Sequence, residues 1–198
     1  MVMPLTRRSF TVAEYHRMAE AGILGEDDRV ELLGGQVVAM TPIAPAHGSC
    51  VNRLTALLAP LAGGRATPSV QNPVVLGEHE EPQPDVTVLR YRADGYRDMH
   101  PRAPDVQLVI EVADSSVESD RQTKIPLYAR SGIPEAWLVN LPADVIECYR
   151  EPGPAGYADV RTARRGETLS PLRLPGITLA VDDILDCVDI IARRDPVL

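Results

Sequence analysis

The residues best suited to chemistry stand at the end of one apolar run near the middle of the chain. The run extends from Val106 to Glu111 and is broken only by Gln107, which predicts a strand buried on both faces. A carboxylate at the end of such a strand is costly to bury unless it is paired or binds a metal. A short polar segment and a predicted helix follow, and this helix can return Lys124 to the same place. Glu111 and Lys124 are therefore candidates for one site.

A second candidate carboxylate follows a proline. Pro84 favours an extended backbone before it, and Asp85 begins a β-rich run. Carboxylates from neighbouring strands that face one cleft suit Mg²⁺, which prefers one or two carboxylates together with water and phosphate oxygens. Such an ion can activate water for phosphodiester hydrolysis, and the Lys124 ammonium could orient that water or stabilise the developing charge.

Lys124 is the only lysine in the chain. All the other basic side chains among its 20 lysines and arginines are arginine. A compact ammonium can lose or share a proton and fits a small pocket, whereas a guanidinium does neither well. The single lysine falls within the proposed site, and this supports a specific role for it.

Five segments have an order and spacing that are fairly specific when taken together. They are Val30–Val38, Gln83–Val86, Ile110–Ser116, Asp120–Tyr128 and Ile133–Val139. Over roughly residues 10 to 185, the chain resembles the PD-(D/E)XK nuclease superfamily and, more narrowly, the Uma2 family of restriction-endonuclease-like proteins. It departs from the superfamily motif at Ala113, where the motif has lysine. In the Uma2-like pattern the lysine lies on the following helix, at Lys124.

The resemblance implies a fold and an activity. The implied fold is α/β with a mixed sheet: a restriction-endonuclease-like core in the order helix-strand-strand-strand-helix-strand, with an N-terminal helix-hairpin and C-terminal strands as extensions. The implied activity is that of an endonuclease dependent on Mg²⁺ or Mn²⁺ that acts on nucleic acid, with DNA as the expected substrate. Asp85, Glu111 and the Val112 carbonyl would bind the ion. Glu31 would complete the site or hold a second ion.

Each candidate also has a purely structural explanation. Asp85 can be a turn former, and Glu31 can be an exposed carboxylate of a hairpin. His47, where the family often has a histidine, could line the cleft but more simply ends or packs a helix. Asp120 could also line the cleft, or it could be an i,i+4 ion-pair partner of Lys124.

Hydrophobic periodicity and turn residues predict the elements that position these groups. Helices are expected at Thr11–Ala21, Ala44–Ala62, Val117–Arg130 and Asp182–Arg193. Strands are expected at Arg29–Leu33, Gln36–Thr41, Ala66–Leu76 with a break at Pro73, Asp85–Tyr91, Val106–Ala113, Glu135–Asn140, Val145–Arg150 and Tyr157–Ala163, with an extended segment at Leu174–Leu179. The expected organisation is a flexible arm at residues 1–9 and a single domain at residues 10–193.

Net charge argues against the nuclease hypothesis. The formal charge is −8, so the chain lacks the overall basic character of most nucleic-acid-binding proteins. The competing hypothesis is a catalytically inactive nuclease-like fold that serves as a binding or assembly module, and a third is an enzyme acting on another phosphate-bearing substrate. If nucleic acid binds, a basic strip from Arg90, Arg92, Arg97 and Arg102 is expected beside the cleft.

Compartment and assembly follow from weaker signals. No apolar run approaches transmembrane length, and Arg7 and Arg8 precede no signal-peptide core. Cys50, Cys148 and Cys187 are far apart and lack metal-ligand spacing, so buried thiols in a reducing compartment are expected. The expectation is a cytoplasmic protein without a membrane partner. A homodimer or higher homo-oligomer is left open.

Overall fold

The computed structural model describes residues 7–25, 27–62 and 64–186. Its strands are β1 (Val30–Leu33), β2 (Gln36–Ala39), β3 (Ala66–Val70), β4 (Val86–Arg90), β5 (Val106–Ala113), β6 (Glu135–Asn140), β7 (Val145–Gly153), β8 (Gly156–Arg164), β9 (Thr168–Leu169) and β10 (Leu179–Ala180). Its helices are α1 (Val12–Glu20), α2 (Pro45–Leu58), α3 (Val117–Ser119), α4 (Ile125–Arg130) and α5 (Val181–Leu185). A π-helical turn at Asp120–Lys124 joins α3 to α4, and 3₁₀ turns lie at Ala59–Ala62 and Ala103–Asp105.

A mixed six-stranded sheet forms the centre, in the order β3-β4-β5-β6-β7-β8. The pair β5 and β6 is parallel, and the other neighbours in this sheet are antiparallel. Parallel neighbours need a crossover connection, and α3, the π turn and α4 supply it. The predicted mixed α/β fold is confirmed. The hairpin β1–β2 forms a separate two-stranded sheet, whereas β7 and β8 extend the central one.

Strand β5 is buried on both faces, as its continuous apolar run predicts. On one face Ile110 packs in a cluster with residues of α2 such as Leu54. On the other face Val109 packs with Tyr128 of α4. Burying a side chain of this size contributes about 1.5–3 kcal/mol. Because side chains alternate along a strand, Glu111 lies on the same face as Val109 and α4.

Two expectations for the C-terminal part need comment. The extended segment predicted at Leu174–Leu179 is wrong at its start, where the Leu174 amide donates to Pro171 and the Ile177 amide donates to Leu174. Pro and Gly in this stretch favour such turns over a strand. Pairing begins only at Leu179. The predicted helix Asp182–Arg193 begins one residue earlier and is described as far as Leu185. Residues 187–193 lie outside the described residues.

Within the described ranges, the helices are too short and too polar for any of them to cross a bilayer.

Glu135, the first residue of β6, is a buried carboxylate away from the strand ends that carry the candidate site. It is fully buried and accepts hydrogen bonds from Trp137 Nε1 at 2.9 Å, from Arg150 Nη2 at 2.7 Å and from the Leu172 amide at 2.6 Å. These donors satisfy a charge that would be costly if it were buried alone. Glu135 therefore has a structural role in joining β6, β7 and the segment after β9.

Replacing Glu135 with Leu should lower the free energy of unfolding by about 2–5 kcal/mol, since the Trp137 indole N–H and the Leu172 amide lose their acceptor at about 1–3 kcal/mol each. Glu118→Gln is the matched control, because Glu118 is 67% exposed in its ion pair with Arg121 and such pairs contribute about 0–1 kcal/mol. Urea unfolding of both variants measures the difference. Equal effects would show that the Glu135 contacts do not support the sheet.

Candidate active site

One cleft contains every candidate catalytic, metal-binding and cleft-lining residue that the sequence predicts. Its volume is about 460 Å³. The nominated residues that line it are Glu31, His47, Asp85, Glu111, Val112, Asp120 and Lys124. The cleft forms where β4 begins and β5 ends, beside the hairpin β1–β2 and the π turn.

Asp85 and Glu111 face the same side of the sheet. Strands β4 and β5 are antiparallel with Val86 opposite Ile110, so the next position places Asp85 opposite Glu111. Directly opposed residues have Cβ atoms about 4.5–5.5 Å apart on one face of a sheet. Both residues are buried. The expected convergence of these two carboxylates is therefore present.

Lys124 places a buried positive charge in the cleft. Its Nζ atom lies 3.3 Å from Glu31 Oε2 and 3.4 Å from Glu111 Oε1. Burial on its own lowers the pKa of this ammonium, but Glu111 and Glu31 together raise the pKa above its usual value. Lys124 therefore stays protonated and neutralises buried negative charge from two separate elements, β1 and β5.

A π-helical turn delivers Lys124 to the cleft. Ile125 N donates to Asp120 O, one residue further back than in an α-helix, and Pro126 follows in the first turn of α4. Proline has no N–H, so this stretch cannot form a complete set of α-helical hydrogen bonds. Asp120 and Lys124 are buried at the two ends of the turn, while the residues between them are exposed or half-buried. Such turns often occur at functional sites.

Asp85 is held in its ionised form. Its Oδ2 atom accepts a hydrogen bond from Val112 N at 2.9 Å and lies 3.0 Å from His47 Nε2. Burial acts to raise the pKa of Asp85, but the hydrogen bond and charge of His47, the Val112 amide and the Lys124 charge outweigh it and bring the pKa below its usual value. The same hydrogen bond raises the pKa of His47 against the effect of burial.

Glu111 has the opposite tendency. The pKa of Glu111 is raised to about 8, chiefly by burial. The charges of Asp85 and Asp120 also raise this pKa, and together these effects exceed the lowering effect of Lys124. Tyr128 donates its hydroxyl proton to Glu111 Oε1. The pKa of Asp120 is also raised, chiefly by burial, although Ser116 donates a hydrogen bond to it at 2.6 Å. The cleft therefore holds more acidic groups than its single ammonium can neutralise.

Sequence reasoning missed several supporting residues. Tyr128 was not nominated, although it lies one helical turn after Lys124 and so shares its face. The backbone N–H of Gln83 donates to Glu31 Oε2 at 3.1 Å, and the side-chain Nε2 of Gln71 donates to Asp85 Oδ1 at 3.4 Å. Ser116 directly precedes α3, but its hydroxyl contacts Asp120 and makes no cap hydrogen bond.

The predicted basic strip is not beside the cleft. Asp85 precedes β4 and Arg90 ends it, and five residues of strand separate the two by about 16 Å. Arg97 and Arg102 line a different cavity. The arginines that do line the cleft are Arg7 and Arg29, both exposed. Positive charge at the rim therefore comes from the N-terminal segment and the start of the hairpin.

Comparisons with known proteins agree with this architecture. The model of the Uma2 family, described as "Putative restriction endonuclease", matches residues 12–182. Solved structures similar to the chain include one from Anabaena variabilis, described as "a putative nuclease belonging to DUF820". It has 16% sequence identity and a TM-score of 0.67, and the match covers 90% of this chain and 98% of that one. No curated protein shows significant similarity to the chain.

Replacing Lys124 with Gln should destabilise the fold by about 3 kcal/mol in the absence of divalent cations, at the low end for a broken buried ion pair because Glu111 can take up a proton. Mg²⁺ should then raise the unfolding midpoint of this variant more than that of the parent, since an ion can replace the lost positive charge. The control is Arg130→Gln, an exposed cation on the same helical segment. Thermal unfolding with and without Mg²⁺ measures both effects. A variant as stable as the control would contradict the counterion role.

Proposed function

The chain belongs to the Uma2 family, and we propose that its cleft is the active site of a nuclease dependent on Mg²⁺ or Mn²⁺ that hydrolyses phosphodiester bonds of nucleic acid, with DNA as the preferred substrate. The observation that carries the proposal is the convergence of Lys124 with Glu31 and Glu111, at 3.3 and 3.4 Å, in the cleft that also holds Asp85. Carboxylates around a single cavity can hold an ion for metal-assisted phosphodiester hydrolysis, and an ammonium beside them can stabilise the developing negative charge.

The donor set fits a hard cation. Carboxylates and a backbone carbonyl are the oxygen ligands that Mg²⁺ and Mn²⁺ favour. The contacts of Glu111 with Tyr128 and Lys124 both involve Oε1, so Oε2 takes no part in them. Asp85 Oδ1 is in a long 3.4 Å hydrogen bond from Gln71, whereas the shorter contacts involve Oδ2. Each acid thus retains an oxygen that suits an ion.

Each residue then has a distinct task. Asp85, Glu111 and the Val112 carbonyl would hold the ion, with Glu31 as a further carboxylate. The bound ion would polarise a phosphate oxygen and lower the pKa of water. Lys124 would orient the attacking water or stabilise the charge that develops on the phosphate. Tyr128 fixes the orientation of Glu111, and His47 fixes that of Asp85.

A second candidate function is a binding or assembly module without turnover. The net charge of −8 and the small number of arginines at the rim favour it. The buried acidic cluster opposes it. Apolar side chains of similar size often stabilise a fold as well as buried charged groups or better, so a module without chemistry would not need these acids. The nuclease is therefore the better supported function.

A cleavage screen tests the proposal directly. Purified protein should cut supercoiled or linear DNA with Mg²⁺ or Mn²⁺ and lose this activity in excess chelator. Single-stranded DNA and RNA substrates, measured in parallel, decide the substrate class. Asp85→Asn protein purified in the same way controls for contaminating nucleases. A parent protein that neither binds a divalent cation nor cuts any of these substrates would support the binding module instead.

Replacing Asp85 with Asn should weaken Mg²⁺ binding and reduce cleavage together, because a hard ion loses an anionic oxygen ligand. Asp159→Asn is the matched control, since Asp159 is exposed on β8 and distant in sequence from the cleft residues. Calorimetric titration with Mg²⁺ and a cleavage assay on the same preparations measure the two effects. Unchanged Mg²⁺ affinity in Asp85→Asn would remove this residue from the metal site.

Replacing Lys124 with Arg should leave Mg²⁺ affinity about as it is and reduce cleavage by roughly 10²–10³-fold, the loss associated with one preorganised electrostatic group. The positive charge is kept, whereas shape and proton availability change. Circular dichroism confirms folding, and calorimetry with the cleavage assay separates binding from chemistry. Parental cleavage rates in Lys124→Arg would show that the lysine has no special role.

A further inference from the structure

A second group of ligand-type side chains lies outside the candidate active site. His16 is on α1, Glu81 is in the connection between β3 and β4, and His100 is in the loop between β4 and β5. One ligand atom from each residue lies within 4.8 Å of the other two. His16 Nε2 is 2.7 Å from Glu81 Oε2, and the two imidazole centroids are 5.8 Å apart. These three side chains do not line the catalytic cleft.

This ligand set differs in kind from that of the cleft. Two imidazoles and a carboxylate suit Zn²⁺, Co²⁺ and Ni²⁺, whereas Mg²⁺ prefers oxygen ligands alone. Ligand atoms about 2.0–2.2 Å from a tetrahedral Zn²⁺ ion lie about 3.4 Å from one another. On binding such an ion, His16 Nε2 and Glu81 Oε2 would move apart by less than about 1 Å. The two most widely separated ligand atoms of the cluster would move together by a little more than about 1 Å. His100 is exposed on a loop, which allows this adjustment.

An ion pair alone leaves part of the cluster unexplained. Glu81 is buried, and His16 is sufficient to pair with it. Yet His100 brings a second imidazole against His16, and in the described part of the chain no hydrogen bond joins it to His16 or Glu81. Two neighbouring imidazolium ions would repel each other, whereas two neutral imidazoles can share one metal ion.

We propose that His16, Glu81 and His100 form a second metal site, selective for a divalent transition-metal ion of the Zn²⁺ type over Mg²⁺. A cavity of about 1130 Å³, lined by both histidines, adjoins the cluster and leaves the fourth coordination position to water or a small anion. The site goes beyond the proposed nuclease function and does not depend on it.

The position of the site indicates a structural role. The backbone of Glu81 pairs with that of Leu32, through hydrogen bonds of 2.8 and 3.2 Å, and Leu32 follows Glu31 in β1. A bound ion would therefore join α1 and the β4–β5 loop to the strand that carries Glu31. Because the ion binds the folded chain, it should stabilise the fold in proportion to its occupancy.

The test uses full-length protein without a histidine tag, titrated with Co²⁺ in saturating Mg²⁺. Visible absorption of bound Co²⁺ reports the ligand geometry, and the unfolding midpoint reports stabilisation. We expect the parent to bind one Co²⁺ and to unfold at a higher temperature. His100→Gln should weaken Co²⁺ binding at least about 10–100-fold, because even outer-shell changes at metal sites have effects of that size. Since His100 is exposed, this variant should fold normally.

Two control variants distinguish this site from Co²⁺ binding elsewhere on the protein. His79→Gln removes a histidine outside the cluster, and Asp85→Asn alters the catalytic cleft. Both should bind Co²⁺ like the parent. The proposal is overturned if the parent binds no Co²⁺ in saturating Mg²⁺, if His100→Gln binds like the parent, or if Asp85→Asn alone abolishes binding. The last result would assign the ion to the cleft.

Discussion

The buried charge balance around Lys124 constrains the whole arrangement. Its ammonium contacts Glu31 from the hairpin and Glu111 from the central strand. Without a cation at this point, carboxylates from separate elements would be buried close together, and like charges in a poorly solvated interior repel strongly. Lys124 lies between the two acids and so stabilises the approach of the hairpin to the sheet. A side chain from the β5–β6 crossover therefore contributes to the position of β1, together with the backbone pairing of Leu32 with Glu81.

The crossover is itself a consequence of sheet topology. The parallel strands β5 and β6 must be joined across one face of the sheet, and α3, the π turn and α4 make that connection. The same connection must bury an apolar face against β5 and also place polar groups at the C-terminal end of β5. The π turn reconciles these demands, since it buries Asp120 and Lys124 ahead of the apolar residues of α4. Lys124 thereby reaches the end of β5 from the crossover, whereas position 113 at the end of β5 is an alanine.

The sequence predicted the strands and helices well where periodicity or an apolar run was long, as for Val106–Ala113 and Glu135–Asn140. The sequence also predicted that Asp85, Glu111 and Lys124 lie at one cleft, because strand ends and the following helix constrain their positions. The π turn could not be predicted, since it depends on how one proline is accommodated in a packed helix. The prediction of a basic strip beside the cleft was wrong, because the length of β4 places Arg90 at the far end of that strand from the cleft.

The acidic character of the cleft has a consequence for substrate approach. Glu31, Asp85, Glu111 and Asp120 surround one ammonium, so a phosphate group would meet net negative charge unless these acids are protonated or bind a cation. Protonation of Glu111 alone removes one charge and would also remove one of the proposed metal ligands. In the proposed reaction the acids must therefore be neutralised by the ion before nucleic acid approaches. Because few arginines line the rim, the phosphate backbone would make few contacts there. The affinity for nucleic acid should then depend on the divalent ion more strongly than on monovalent salt.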